Sequence, residues 1–296
     1  MRILIVGGSG FLGSELVRQA AAEGHAVAAT WRTRPGTAAG ADWLPLDVRD
    51  RTAVLDLIGA FGPDVVVNTA SGGNMASGGN MASGGNTASG GSDWVTTAVG
   101  AAHVAVASAA HGARLVHVSS DAVFSGEAVT YAEDRVPDPV TPYGAAKAAG
   151  EAAVQAITPT AVIARTSLII GDGGSGHERL VHGLASGGVK GMLFTDDVRC
   201  PVHVRDLAAA LLELASSDRA GVQHAAGADA VSRYELGCLV ARRNGIDPAR
   251  LPYGRRADTG LRGPLDVRLD CGLTQRHLTT RLRGAREFLA QPRIST

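Results

Sequence analysis

The chain reads as an α/β protein, a doubly wound parallel sheet joined to a smaller C-terminal lobe. Three observations predict this. Short apolar, β-branched runs alternate with helical stretches as far as residue 216. The first run, RILIV at 2–6, passes directly into Gly7, Gly10 and Gly13, spaced three apart, and then into a helix. The composition suits a globular core: 45% hydrophobic and 19% charged, with so few aromatics (4%) that Ala, Val and Leu must fill the interior.

Arg2 to Val6 is a strand of the buried parallel kind. Gly7 permits a tight turn, Gly10 lets a pyrophosphate approach the backbone, and Gly13 allows close helix–strand packing. A helix over Glu15 to Ala22, ending near Gly24, offers free N–H groups and a positive dipole end to phosphates. Strand two is expected at Ala26 to Thr30, strand three at Trp43 to Leu46, and a helix at Asp50 to Phe61. Strand four follows at Asp64 to Asn68, a helix at Asp93 to Ala110, and strand five at Arg114 to Ser119. Thr141 is a natural N-cap with Pro142 at the first helical position, for a helix running to about Ile157. Strand six lies within Thr160 to Ile170, and Arg205 to Ser216 is a helix with Asp206 in its first turn. Segments 171–196 and 226–265 are richer in Gly, Pro and Arg and read as less regular. Residues 1–170 are therefore expected to form a Rossmann-type nucleotide-binding core. Residues 171–296 would hold the remaining sheet elements and a substrate-covering lobe.

Residues 68–91 interrupt this alternation with four tandem copies of Asn-Thr/Met-Ala-Ser-Gly-Gly. No charge and no bulky branched residue occurs there, so a flexible loop is expected.

Ligands of such sheets bind at the carboxyl ends of the strands. The candidates there are Gly7, Asn68, Ser119 and Ser120. Only two of the 28 basic residues are lysine, Lys147 and Lys190, and Lys147 lies four residues after Tyr143. On a helix these two are neighbours. A cation beside a phenol favours the phenolate, and Arg does not substitute for Lys at such a site without loss. Tyr normally titrates near 10, so work near neutrality asks for roughly 4 kcal/mol of differential stabilisation. The arrangement suits hydride transfer, with Ser120 on the carbonyl oxygen, Tyr143 moving the proton and Lys147 serving both Tyr143 and a cofactor ribose. Strand two ends Thr30-Trp31-Arg32-Thr33-Arg34 without a carboxylate for ribose hydroxyls. That favours NADP over NAD, with Arg32 on the 2′-phosphate; NAD stays as the alternative cofactor.

Formal net charge is zero, which argues against a nucleic-acid or anionic-membrane partner. No apolar run reaches the roughly 18 residues of a membrane span. The chain opens on its first strand, so no signal peptide is expected and the compartment is taken as cytoplasmic. Cys200, Cys238 and Cys271 form no paired motif, and the nine histidines lack ligand spacing, so no metal site is expected.

Together, GGSGFLG at 7–13, LDVRD at 46–50, NTA at 68–70, VSSDAVFSG at 118–126, TPYGAAKAAGE at 141–151 and RTSLIIG at 165–171 carry a family likeness. The chain resembles the extended short-chain dehydrogenases/reductases, and among them the dTDP-4-dehydrorhamnose reductases and related sugar-nucleotide reductases. The resemblance implies cofactor contacts from Gly7, Gly10, Phe11, Leu12 and Gly13. It also implies Asp47 and Val48 beside the adenine, and Asn68, Thr69 and Ala70 along the cofactor, with Tyr143 and Lys147 on its ribose side. It implies Ser120, Tyr143 and Lys147 as catalytic residues, Asp121 on the sugar, and Arg262 as a degenerate form of an Arg-Pro segment suited to a diphosphate. The implied substrate is a nucleotide-linked 4-keto-6-deoxy sugar. Three positions depart from the pattern: Thr97 replaces an Asn, Ala122 an aromatic, and Asp172–His177 an Asn-Asn-Phe-like stretch. The dehydratases of the same superfamily carry Asp-Glu after the catalytic hydroxyl, where this chain has Asp121-Ala122. The competing reading is a catalytically silent NADP-binding subunit similar to the methionine adenosyltransferase β subunit. Oligomeric state stays open, a homodimer being compatible.

Overall fold

A computed structural model describes residues 1–72 and 93–290. Its centre is one seven-stranded sheet. In chain order the strands are β1 (Arg2–Val6), β2 (Ala26–Trp31), β3 (Ala41–Pro45), β4 (Val65–Asn68), β5 (Arg114–Ser120), β6 (Val162–Thr166) and β7 (Gly221–His224). The spatial order is β7-β6-β5-β4-β1-β2-β3, and every pairing is parallel. The order reverses at β1, whose neighbours are β2 and β4, and ligands of doubly wound sheets bind at that crevice.

The longer helices are α1 (Phe11–Ala22), α2 (Arg51–Phe61), α3 (Gly100–Ala110), α4 (Pro142–Ile157), α5 (Gly176–Ala185), α6 (Val204–Ser216) and α7 (Arg233–Arg243). Strand side chains alternate in direction, so each strand feeds two cores. Ile3, Ile5, Val27, Val65, Val67 and Val116 pack with Leu16 of α1 and Leu207 and Leu211 of α6. Leu4, Val6, Val66, Leu115 and Ile163 pack with α2, α3 and α4 through Ile58, Val104 and Val154. A third cluster joins Leu168, Ile170, Val181 and Leu184 to Leu236, Val240 and Phe288, and forms the core of the C-terminal lobe.

The local signals explain most boundaries. Asp50 caps α2 by accepting from Ala53 N, and Thr141 caps α4 by accepting from Gly144 N. Gly62 ends α2 in the left-handed conformation. Four expectations shift. Helix α1 starts at Phe11 instead of Glu15, because Gly10 already serves as its N-cap. Strand three begins at Ala41 and is over before Leu46. The expected helix over 93–110 opens with a π-helical turn at Val95–Val99 before α3. Strand six stops at Thr166; Ile169–Ile170 pairs instead with Val202–His203. There Thr166 Oγ1 donates to Ala225 O and Ser167 Oγ to Asp121, drawing the chain out of the sheet.

Segments 171–196 and 226–265 contain α5 and α7, more regular structure than their composition suggests. Ser175 and Glu178 form a capping box at the start of α5, a signature legible as S-x-x-E. Of the flexible loop expected over 68–91, Asn68 instead ends β4 and Ala70 N and Gly72 N are hydrogen-bonded to Asn68 and Thr97, while residues 73–91 lie outside the described residues. Among the described residues the three cysteines are free. No cluster there could hold a metal ion, and no helix there is long and apolar enough to cross a membrane.

Candidate active site

The glycine turn is built for a close approach. Gly7 has φ +81°, and its N–H donates to Thr30 Oγ1 at 3.0 Å. A Cβ on Gly7 would lie 2.9 Å from Thr69 Oγ1, and one on Gly13 would lie 2.4 Å from Gly7 O. A Cβ on Gly10 would meet only Gly7 O, at 3.2 Å, and otherwise open space. Helix α1 begins there with no capping side chain and no acidic residue in its first turn. The first N–H groups of a helix lack intrahelical partners, here those of Phe11, Leu12 and Gly13. A bare, positive helix end beside an open glycine fits a pyrophosphate. The Phe11 ring leans across to Gly171 and Gly174, where added Cβ atoms would lie 2.6 and 3.3 Å from it.

Asn68, Thr69 and Ala70 form the neighbouring wall. Thr69 Oγ1 donates to Val6 O at 2.9 Å, and Ala70 N donates to Asn68 Oδ1 at 3.1 Å. Thr97, standing where an Asn is usual, accepts from Gly72 N at 3.0 Å.

At the far end of the crevice, Arg32 is 54% exposed and lies 3.7 Å from Asp93. Arg49 grips Asp47 through Nε at 2.9 Å and Nη2 at 2.5 Å, and this hydrogen bond holds the Asp47 carboxyl below its usual range. Burial would raise Asp93; hydrogen bonds from Thr96 and the charges of Arg49 and Arg32 outweigh it and lower its pKa. The charges of Arg49 and Arg32 thus act on the same two carboxylates, Asp47 and Asp93. Val48 packs against Gly100 and accepts from His103 Nδ1 through its carbonyl at 2.9 Å.

The chemical residues converge where β5 ends against α4. Ser120 closes β5 and caps a short turn at Asp121–Val123, its Oγ accepting from Ala122 N and donating to Asp121 Oδ1, both at 3.2 Å. Tyr143 is half-buried on the first turn of α4. The next residue, Gly144, brings that turn against Ala122: a Cβ there would lie 2.0 Å from Ala122 O. One turn on, Lys147 is 3% exposed and donates to Val118 O at 3.0 Å.

Asp121 is buried, accepts from Ser167 Oγ at 2.6 Å and lies 3.7 Å from Arg199 Nε. It is the near end of a charged cluster that the sequence reading missed. Asp197 is contacted by Arg199 and Arg256, each at 3.0 Å, and by Arg233 at 3.3 Å. Burial would raise the Asp197 pKa, and the three guanidiniums more than reverse that. Arg199 also donates to Pro264 O and Leu265 O, and Arg256 to Arg262 O. Arg199 and Arg256 are therefore committed to Asp197 and to backbone carbonyls of the lobe. Arg262 is exposed and lines a cavity of about 570 Å³ with Ser125, Glu127, Val140, Leu261 and Leu265.

Residues 1–292 match the family described as RmlD substrate binding domain. The chain belongs to that family. A dTDP-4-dehydrorhamnose reductase of Mycobacterium tuberculosis is 34% identical over 259 residues, 84% of this chain and 78% of that protein. The methionine adenosyltransferase 2 subunit beta of Bos taurus is 27% identical over 91% of this chain and 80% of its own length. Among solved structures, the dTDP-4-dehydrorhamnose reductase of Bacillus anthracis in complex with NADP superposes with a TM-score of 0.77. That match covers 97% of this chain and 96% of the other, at 22% identity, and shows the shared fold. Within this RmlD-type chain, the glycine turn, the Ser120 turn and the Tyr143 helix come from local motifs. Glu178 accepts from Gly173 N at 2.7 Å and Ser175 N at 2.9 Å, contacts that are local; its pairing with Arg243 was not legible, because that partner is set by the lobe's fold.

Proposed function

We propose that the protein is an NADPH-dependent reductase of a nucleotide-linked 4-keto-6-deoxy sugar, with Tyr143 as proton donor. One observation carries the reading: Gly144 presses the Tyr143 turn against the Ser120 turn, with Lys147 one helical turn behind. Bound NADPH would supply the hydride. Gly7, Gly10 and the start of α1 would hold its pyrophosphate, and Arg32 its 2′-phosphate. Ser120 would leave Asp121 to donate to the substrate carbonyl oxygen, and Tyr143 would deliver the proton as the alkoxide forms. Lys147 would favour the phenolate that results. Arg262, which lines the 570 Å³ cavity, would pair with the diphosphate, and Asp121, freed from Ser120, would contact the sugar. Supporting this are the 34% identical mycobacterial reductase and the NADP bound by the B. anthracis protein.

The bovine relative favours a second reading, a regulatory subunit without turnover. The test incubates the purified chain with NADPH and a dTDP-4-keto-6-deoxyhexose and follows loss of the reduced nicotinamide and formation of the 4-hydroxy sugar. Turnover supports the reductase. NADPH binding with no turnover on any nucleotide-linked keto sugar favours the subunit reading.

A further inference from the structure

A buried imidazole that the proposed chemistry does not use lies between the glycine turn and the catalytic helix. His117 on β5 is 0% exposed. Two elements meet around it: β4 with Asn68 at its end, and α4 with Lys147 and Gly150. The Asn68 carboxamide oxygen is already committed, since it accepts from Ala70 N at 3.1 Å. Asn68 Nδ2 is therefore the atom that faces His117 Nδ1, at 3.2 Å. A ring nitrogen facing an NH₂ group must accept, so Nδ1 carries no proton and the ring proton sits on Nε2.

Resting on the reading that the glycine turn binds NADPH, we propose that His117 is a positioning residue for that turn, acting through the Asn68 side chain. Its Nδ1 lone pair fixes the rotation of the Asn68 amide. The amide oxygen fixes the Ala70 N–H. Ala70 N and Thr69 Oγ1 are the atoms packed against Gly7, 3.0 and 2.9 Å from where a Cβ would stand. The same strand serves the catalytic side, because the next residue, Val118, offers its carbonyl to Lys147 Nζ. A charged imidazole would turn an N–H toward the Asn68 NH₂ and repel Lys147, the charge that faces it; burial and Lys147 together keep the ring neutral, with its pKa lowered to about 3. Core packing alone would be satisfied by any flat ring in either tautomer; the Asn68 contact requires one acceptor at one ring position.

The test uses the full chain. In the unmutated protein, nitrogen-detected NMR of the histidine rings is expected to show His117 with an unprotonated Nδ1 and a protonated Nε2. The opposite tautomer would overturn the proposal without any variant. His117→Phe keeps the ring and removes the acceptor, whereas His117→Asn restores an acceptor near the Nδ1 position. His117→Phe is expected to speed hydrogen exchange at the Ala70 amide and to raise the NADPH dissociation constant roughly three- to tenfold, the range for one hydrogen bond. His117→Asn should recover most of both. Unchanged Ala70 exchange in His117→Phe, or equal damage in the two variants, removes the positioning role. If the unmutated protein binds no NADPH, the functional reading falls, and the Ala70 amide and the tautomer still decide the role of His117.

Discussion

Tyr143 and Lys147 stand one helical turn apart with different surroundings, one half-buried at the crevice and the other enclosed. Tyr143→Phe removes a hydroxyl and little volume, so fold and NADPH affinity should persist while turnover falls by about 10² to 10⁴, the range for general acid catalysis. Lys147→Arg keeps the charge but must fit a planar fork where a point charge donates to Val118 O. It is expected to stay clearly impaired in both turnover and cofactor affinity. Undiminished turnover of Tyr143→Phe on a confirmed substrate would remove Tyr143 from the mechanism. Arg32 makes a second residue-scale test. NADPH should bind more tightly than NADH, and Arg32→Ala should narrow the gap; equal affinities in the unmutated protein would show that no 2′-phosphate site exists. The motif residues were legible because their spacing is local. The Asn68–His117 contact was not, because its partners lie 49 residues apart and meet only through strand register.

At the scale of elements, α4 shows how one small residue sets a site. A side chain at position 144 would strike Ala122 O, so the Tyr143 turn reaches the Ser120 turn only with glycine there. The repeat tract teaches the opposite lesson. A Cβ on Gly72 would lie 2.4 Å from Asp93 Cβ and 3.1 Å from its Cα, and Gly72 N is held by Thr97. The two flanks of residues 73–92 thus meet within the roughly 7 Å span of a four-residue β-turn. Deleting Asn74 to Gly91 leaves Gly72-Gly73-Ser92-Asp93, a length and composition suited to such a turn. Folding stability should change by less than about 1 kcal/mol, since loop-closure cost varies slowly with length. Denaturant titration of the deletion variant checks this, and a loss of several kcal/mol would show that the tract contributes to the fold. The sheet strands were readable from apolar runs between turn signals. The lobe was not, because α5 and α7 carry many polar and charged residues whose partners are one another.

For the molecule as a whole, lobe and sheet are joined by buried charge, and that sets the response to pH. Asp197 gathers Arg199, Arg233 and Arg256, and Arg233 Nη1 in turn donates to His177 Nδ1 at 3.3 Å. Burial, then Arg233, pushes the His177 pKa down to about 3 against a partial upward pull from Asp197. His117 is likewise held at about 3 by burial and Lys147. Unfolded histidine titrates near 6.5. Between these values the unfolded chain binds protons that the folded chain refuses, so stability is complete above about pH 6.5 and declines as pH falls toward 3. Two such imidazoles give a slope of roughly 2–3 kcal/mol per pH unit in mid-window. Burial also lowers His203 and His224, with the same sign. The depressed Asp197 adds its loss only at lower pH, below the roughly 3.9 of an unfolded aspartate, as pH falls through its folded value. Chemical denaturation across pH 4 to 7 is expected to show this decline, and His177→Phe should make it shallower by about one proton's worth. A midpoint that stayed flat from pH 7 to 4.5 would mean that the buried imidazoles find protons without unfolding, and that the Asp197 cluster is more open to water than its geometry indicates.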